Sequence, residues 1–458
     1  MSNLFEKVSI IQYFKYLFGL MLFVVICLAL FRKFDHDEFE AVHTSWKIIN
    51  GEVIYIDFFQ HHHPLFYYFI APVIWVVGEN TETLLVLRMI MFGLYLLMIY
   101  VLYHFTMQIS NDKKISWLSI LMLVCMTMFS NKAIEIRPDV PQVLLGIVSI
   151  LLLFQSKIEP GKLRKLSFSA ICLGLSFLFL QKTVFIMATI GLVQVFWVYK
   201  NDFNWKQLVL YWLVFCLTIS PYYIYLILSD QFETYWFYNW YLNMHFEGGF
   251  SPFKTIIDSF YYNHFIWFFG IAGSVVCVKK KRMDASLLGL LLFLTVFFVR
   301  SPYRQYFMPF APFLCVMAAI GMFEFLKFKQ LKTIVSLIVI VPLIYLIWTI
   351  TIYQNKPQLD KIEWVTSQTN SSDCIYDGDI YFNLFRKDID FFWYSTEPGR
   401  GGLGTYKKLK PYSYNIYSAI EEYKPKIISD TFIDTSNKII EKNYNQSSVY
   451  PELYVRQQ

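Results

Sequence analysis

Five side chains able to hold or hand over a proton crowd into seven residues, Phe34-Asp35-His36-Asp37-Glu38-Phe39-Glu40. They follow directly on an apolar run from about Tyr16 to Phe31. A carboxylate beside apolar lipid and near cations can serve as a general base towards a hydroxyl, and Asp37-Glu38 is the expected pair. A plainer reading stands next to it: Asp37 caps a helix, with Glu40 in the capping-box position. Further charges sit at the ends of apolar runs, where lipid makes them costly and each needs a partner or a function. With the topology below, Asp35, Asp37, Glu38, Arg88, Arg137, Asp139, Lys182, Arg300 and Arg304 all fall on the outer side. The cations among them are suited to a phosphate.

Two of these charges have structural alternatives. In Arg137-Pro138-Asp139-Val140-Pro141, Asp139 is either a site residue or the acid of the first turn of a helix, satisfied by Arg137. Lys182, the only lysine between Lys165 and Lys200, either snorkels to the interface or holds a phosphate. His61-His62-His63 does not read as a metal centre, because successive side chains on an extended chain alternate sides and no Cys/His spacing supports zinc. Polar lining by His62 and His63 ahead of a Pro64 helix is expected, and no metal. Gly399-Arg400-Gly401-Gly402-Leu403-Gly404 lacks a strand–turn–helix setting and is not a dinucleotide loop. The Tyr and Trp residues at 235–241, followed by Gly248-Gly249, suit an interfacial belt or a stacking surface for sugar.

The elements that must position these residues are membrane helices. The chain has 458 residues, 56% hydrophobic and only 16% charged, whereas soluble domains have about 25% charged residues. The net charge of +6 gives no reason to expect nucleic acid, because the basic residues sit in short loops where they set topology. Of seven cysteines only Cys374 lies outside an apolar run, which excludes a disulfide framework. The first span, without a small-x-small site, reads as an uncleaved anchor.

Spans are expected at about 16–31, 84–105, 115–130, 141–155, 167–181, 183–199, 207–228, 263–278, 285–299, 305–325 and 333–352. Both flanks of 167–199 are basic, which requires two spans turning near Gln181-Lys182. With eleven crossings, the five loops containing Lys113-Lys114, Lys157–Lys165, Lys200–Lys206, Lys279–Arg282 and Lys327–Lys332 all face the cytoplasm, together with the N-terminus. The first outer loop, 32–83, should contain an amphipathic helix (Phe39, Val42, Trp46, Ile49) stopped at Asn50-Gly51, then a short non-spanning run, Leu65 to Val77. The fold class expected is an all-α polytopic membrane module over 1–352 with a small C-terminal α/β extracytoplasmic domain over 353–458.

This pattern resembles the GT-C glycosyltransferases that use lipid-linked sugars, in particular the protein O-mannosyltransferase-like branch and the lipid A aminoarabinose and galacturonic acid transferases. Asp37-Glu38 is similar to the family's acidic pair in the first outer loop, and Pro64-Leu65-Phe66-Tyr67-Tyr68 to its aromatic segment closing that loop. Asp139 matches a second-loop acid, and Gln181-Lys182-Thr183 resembles a Thr-Lys-Gly turn. Ser301-Pro302-Tyr303-Arg304-Gln305-Tyr306-Phe307-Met308-Pro309, preceded by an outer-facing base, resembles a Tyr-x-x-Pro helix start. The resemblance covers about residues 15–350, and departs from it where His62-His63 replaces a lysine of some relatives. It implies a polyprenyl phosphate sugar donor, its phosphate held by Lys182, Arg88, Arg304 and Arg137. Asp37 would act as general base on a hydroxyl of a membrane lipid, glycan or protein, with inversion. Asp139 would orient the sugar or Arg137, with Glu38 as helper and His62, His63 and Tyr306 as lining, and no cofactor would be needed.

Two other functions compete. A lipid or polysaccharide flippase would do no chemistry, but such transporters show internal repeats and helices broken near the midplane, and neither is evident here. An O-antigen ligase or polymerase would need a large outer loop rich in Arg and His, whereas the loop at about 229–262 is aromatic.

Overall fold

A computed structural model describes residues 9–158, 162–246, 251–280, 283–298, 303–378, 382–394, 397, 401–412 and 415–457. Helix dominates, since a chain in lipid must satisfy each backbone N–H and C=O within itself. Seven helices are long and apolar enough to cross a membrane: Ile10–Phe31, Glu82–Ser110, Asp139–Lys157, Gln181–Tyr199, Trp205–Leu228, Pro252–Lys279 and Phe328–Ile352. An eighth crossing is made if Lys113–Cys125 and Thr127–Ala133, bent by 74°, form one broken span. The chain is a multi-pass membrane protein. Helix is present at all eleven expected spans, yet length and composition support seven or eight crossings among the described residues. Met283–Thr295 and Ala311–Phe325 have 13 and 15 residues, only about 20–23 Å of helix, and Lys162–Phe179 opens on three cations, Lys162, Arg164 and Lys165.

The described contacts form two units. One comprises Met1–Arg32, Met89–Tyr222 and Gly249–Tyr353, the other Lys33–Arg88, Tyr223–Gly248 and Gln354–Gln458. In the first, helices Pro252–Lys279 and Ala311–Phe325 meet through glycine. A Cβ on Gly273 would lie 1.8 Å from the Met317 carbonyl oxygen, and one on Gly321 would lie 2.4 Å from that of Phe269. Only hydrogen fits there, the small-residue contact by which helices associate in lipid. Polar side chains join other helices: Ser169 Oγ donates to the Ser149 carbonyl at 2.6 Å, and Tyr211 OH lies 3.0 Å from Ser149 Oγ. At the 74° break, Asn263 Nδ2 donates to the freed Cys125 carbonyl at 3.1 Å. Helices Lys162–Phe179 and Val184–Tyr199 are separated by a 3₁₀ turn, Gln181–Thr183, which puts Lys182 between two helix ends.

In the second unit, helix His36–Ile49 ends at Asn50, with Gly51 supplying the positive φ of 87° that the turn needs. Leu65–Val77 is a separate helix of 13 residues. Four short strands, β1 Ile375–Tyr376, β2 Ile427–Ser429, β3 Tyr444–Gln446 and β4 Leu453–Arg456, form a sheet in the order β1-β2-β4-β3. The β1–β2 pair is parallel and the other two pairs are antiparallel. Tyr376, Ile420, Ile428 and Ile440 make its small core.

The sequence drew a domain boundary at 352/353; the chain passes from one unit to the other between Tyr353 and Gln354. The C-terminal segment, however, shares its unit with the first loop, and the two are bonded together. Phe34 N–H donates to Gln358 Oε1 at 2.7 Å, and Phe59 N–H donates to the Phe391 carbonyl at 2.9 Å. Lys47 Nζ reaches Asp388 Oδ2 at 2.7 Å, and His43 Nε2 the same oxygen at 2.9 Å.

Candidate active site

The site residues predicted from sequence fall into two sets, one in each unit. The acidic stretch belongs with Lys33–Arg88. Its helix is capped by Asp35: Asp35 Oδ1 accepts from Asp37 N–H at 3.3 Å, and Glu38 Oε1 from Asp35 N–H at 2.9 Å. The capping box is therefore Asp35 and Glu38, which corrects the alternative that gave the cap to Asp37 and its partner role to Glu40. Asp37 lies inside the first turn, with its carboxylate 34% exposed and 3.0 Å from His36 Nε2.

Glu38 and Arg88 are both fully buried and bound in a fork. Arg88 Nε donates to Oε2 at 2.8 Å and Nη2 to Oε1 at 2.6 Å, while the Phe34 ring covers the guanidinium at 3.7 Å. Arg88, expected as a phosphate contact, thus has its fork occupied by Glu38, and the pair ties the loop to the start of helix Glu82–Ser110. The pairing joins residues fifty positions apart, so hydropathy carries no sign of it.

Glu40, one turn beyond Asp37, is also buried. It accepts hydrogen bonds from Gln60 Nε2 and, at 3.0 Å, from Tyr67 OH. Tyr394 OH meets Gln60 Oε1 at 3.1 Å and His61 Nδ1 at 2.8 Å. Burial, then the negative charges of Glu40 and Asp37, push the Tyr394 hydroxyl well above the usual phenol range. Sequence reasoning missed Tyr394 and Gln60, and no local signal marks a contact between residues 334 positions apart.

His63 is buried, with Nε2 2.8 Å from Tyr235 OH, which also accepts from Trp240 Nε1 at 3.1 Å. His63, expected as polar lining, ties the loop to the aromatic segment Phe232–Leu242. His62 is half-buried; its carbonyl accepts from Tyr55 OH at 2.6 Å. Among the described residues, one group places donor atoms close enough for a metal ion: Asp35, His36 and Asp37, within 4.8 Å of one another.

The second set lies in the other unit, on the ends of its helices. Asp139 starts helix Asp139–Ile158, and its carboxylate meets Lys182 Nζ at 3.3 Å and Arg137 Nε at 3.4 Å. Arg137 continues to Glu135 at 3.5 Å, which Arg32 and Lys132 reach at 2.8 Å each. Among the described residues these ion pairs join four cations to two carboxylates, with Glu135, Arg137 and Asp139 all buried.

Beside it lies a cleft lined by Asp139, Gln142, Lys182, Gln305 and Tyr306, with Phe185, Leu292 and Pro309 as apolar wall. Lys182 Nζ lies 4.2 Å from the centre of the Tyr306 ring, between that face and Asp139. Arg304 does not line the cleft; it is half-exposed and meets Asp258 at 3.1 Å. Arg300, Ser301-Pro302, Gly248-Gly249, Gly399-Arg400 and Lys281-Arg282 lie outside the described residues.

No protein-family model matches the sequence, and a search of curated proteins gives no match. Solved structures do match over nearly the whole chain. ArnT from Cupriavidus metallidurans, bound to undecaprenyl phosphate, superposes with a TM-score of 0.73 at 12% identity, over 96% of this chain and 97% of its own. The oligosaccharyltransferase of Archaeoglobus fulgidus in the apo form gives 0.61 at 13% identity, over 97% of this chain and 74% of its own. The same archaeal enzyme, AglB, with an inhibitory peptide and a dolichol-phosphate, gives 0.58 at 12% identity, over 97% and 74%. At these identities the likeness concerns architecture, and the architecture is the GT-C fold that the acidic loop, the Asp139 motif and the Lys182 turn had suggested.

Proposed function

We propose that this protein is an integral-membrane glycosyltransferase that moves a sugar from a polyprenyl monophosphate to a hydroxyl acceptor on the extracytoplasmic side. The observation that carries the reading is the cleft lined by Lys182 and Asp139, where Lys182 and Arg137 meet the same buried carboxylate. Such a site suits a phosphate whose far side is lipid, and both ArnT and AglB share this fold and were solved with a polyprenyl-type phosphate bound.

In the step proposed, the acceptor hydroxyl attacks the anomeric carbon as its proton passes to Asp37. The new C–O bond forms as the bond to the phosphate oxygen breaks, with inversion, and the electron pair leaves on the phosphate. That leaving group is already anionic, so electrostatic stabilisation by Lys182 and Arg137 serves it better than a general acid. Asp139 holds the two cations in place. Asp37, set apart from the cap and one-third exposed, is the carboxylate of the loop best suited to take a proton. We place the N-terminus inside and 353–458 outside, the orientation that the basic loops favour with an odd number of crossings.

Mass spectrometry of lipid extracts tests this in cells lacking the gene, complemented with wild type or Asp37→Asn. A polyprenyl monophosphate sugar should accumulate in the null and Asp37→Asn strains and disappear with wild type. A normal lipid profile with Asp37→Asn would remove Asp37 from the chemistry. No change in any lipid-linked sugar would move the reading to a transporter.

A further inference from the structure

Gln142 is 2% exposed and lines the Lys182 cleft, and its side-chain Nε2 has no hydrogen-bond partner among the described residues. Its backbone is fully engaged: the N–H donates to the Pro138 carbonyl at 3.2 Å, and the carbonyl accepts from Ser176 Oγ at 2.8 Å. Buried carboxamides are ordinarily paired, because stripping one of water without a replacement bond is costly. A donor left open in the wall of a cleft that already holds an ammonium calls for an oxygen acceptor.

Its position says which oxygen. Gln142 is three residues beyond Asp139, on the same helix face and about 4.5 Å further from the helix end. It therefore sits on the lipid side of Asp139. A lipid-linked sugar entering this cleft places its phosphate nearer the lipid than its sugar ring. We propose that Gln142 is a headgroup ligand, donating from Nε2 to a non-bridging oxygen of a polyprenyl phosphate whose charge is met by Lys182. The inference rests on the function proposed above and extends it to the recognition of carrier as well as donor, since both have this phosphate.

The test uses the full-length protein in nanodiscs, titrated with undecaprenyl phosphate, with undecaprenol as the phosphate-free control. Gln142→Glu, which sets a carboxylate against the phosphate, should weaken undecaprenyl phosphate binding about tenfold or more, and Gln142→Leu by a similar factor, as expected for a bond to a charged group. Lys182→Met should weaken it comparably, undecaprenol binding should not change, and millimolar inorganic phosphate should not compete. Affinities within twofold of wild type in both Gln142 variants would overturn the assignment. So would an equal loss for undecaprenol, which would mark a packing defect, or competition by inorganic phosphate, which would mark a free-phosphate site. If Gln142→Glu does not fold, Gln142→Leu decides. Failure of the wild type to bind undecaprenyl phosphate at all would refute the proposed function itself, a result distinct from the others.

Discussion

Two adjacent acids, Asp37 and Glu38, should separate into one that serves chemistry and one that holds the loop. Glu38→Gln keeps the shape but leaves the Arg88 guanidinium charged and fully buried, with a neutral amide in place of the Glu38 carboxylate. Removing one partner of a buried pair costs about 3–5 kcal/mol, and the weakened capping box adds roughly 1 kcal/mol more. At about 2 °C per kcal/mol, the melting temperature should fall by roughly 8–12 °C. Asp37→Asn removes a one-third-exposed carboxylate outside the cap, so it should stay within about 1 kcal/mol of wild type. Its turnover should nonetheless fall about 10²–10⁴-fold, the range of a lost general base. Both variants, purified in detergent, would be followed by intrinsic tryptophan fluorescence on heating and by transfer of radiolabelled sugar. The reasoning fails if Glu38→Gln melts like wild type, or if Asp37→Asn loses as much stability as activity.

Asp388 gives a pH prediction. Burial alone would raise its carboxyl, but His43 and Lys47 outweigh that and hold it below the ordinary value, so its contribution to stability is present above about pH 4 and is lost as pH falls through the depressed value. Burial would lower Lys47, but Asp388 and Glu52 raise it, so its contribution is lost only as pH rises beyond about 10.4; Asp388→Asn should shrink the acid limb of a melting-temperature profile and weaken the alkaline limb, which Glu52 still supports at 2.9 Å, and an unchanged acid limb would contradict this. Gly273→Val should cut the yield of folded protein sharply, because its Cβ would meet the Met317 backbone, while Gly19→Ala, with open space around it, should be silent on size-exclusion profiles. EDTA should leave turnover within twofold if the Asp35-His36-Asp37 group works without a metal; loss restored by Mn²⁺ would assign that group to a cation.

Much of this protein was legible because lipid imposes simple rules. Apolar length located the helices, and the basic loops required the turn that structure places at Gln181–Thr183. Period and stop signals gave the helix ending at Asn50-Gly51. The count of crossings was less secure, because apolar runs such as Met283–Thr295 satisfy a hydropathy window without the length to span. The division of labour between neighbouring charges was beyond reach. Asp35, Asp37, Glu38 and Glu40 are equivalent on paper, yet one is the cap, one is one-third exposed, one is forked by Arg88 and one is held by Gln60 and Tyr67.

The sequence by itself determined a multi-pass helical membrane protein with unusual charges at its helix ends, because hydrophobicity and helix period are local properties of the chain. Only the tertiary structure decided which of those charges are spent on one another, which line a cleft, and that Asp388 and Tyr394 belong with the first loop more than three hundred residues away. Pairing of that kind depends on where side chains meet in space, and separation along the chain carries no trace of it.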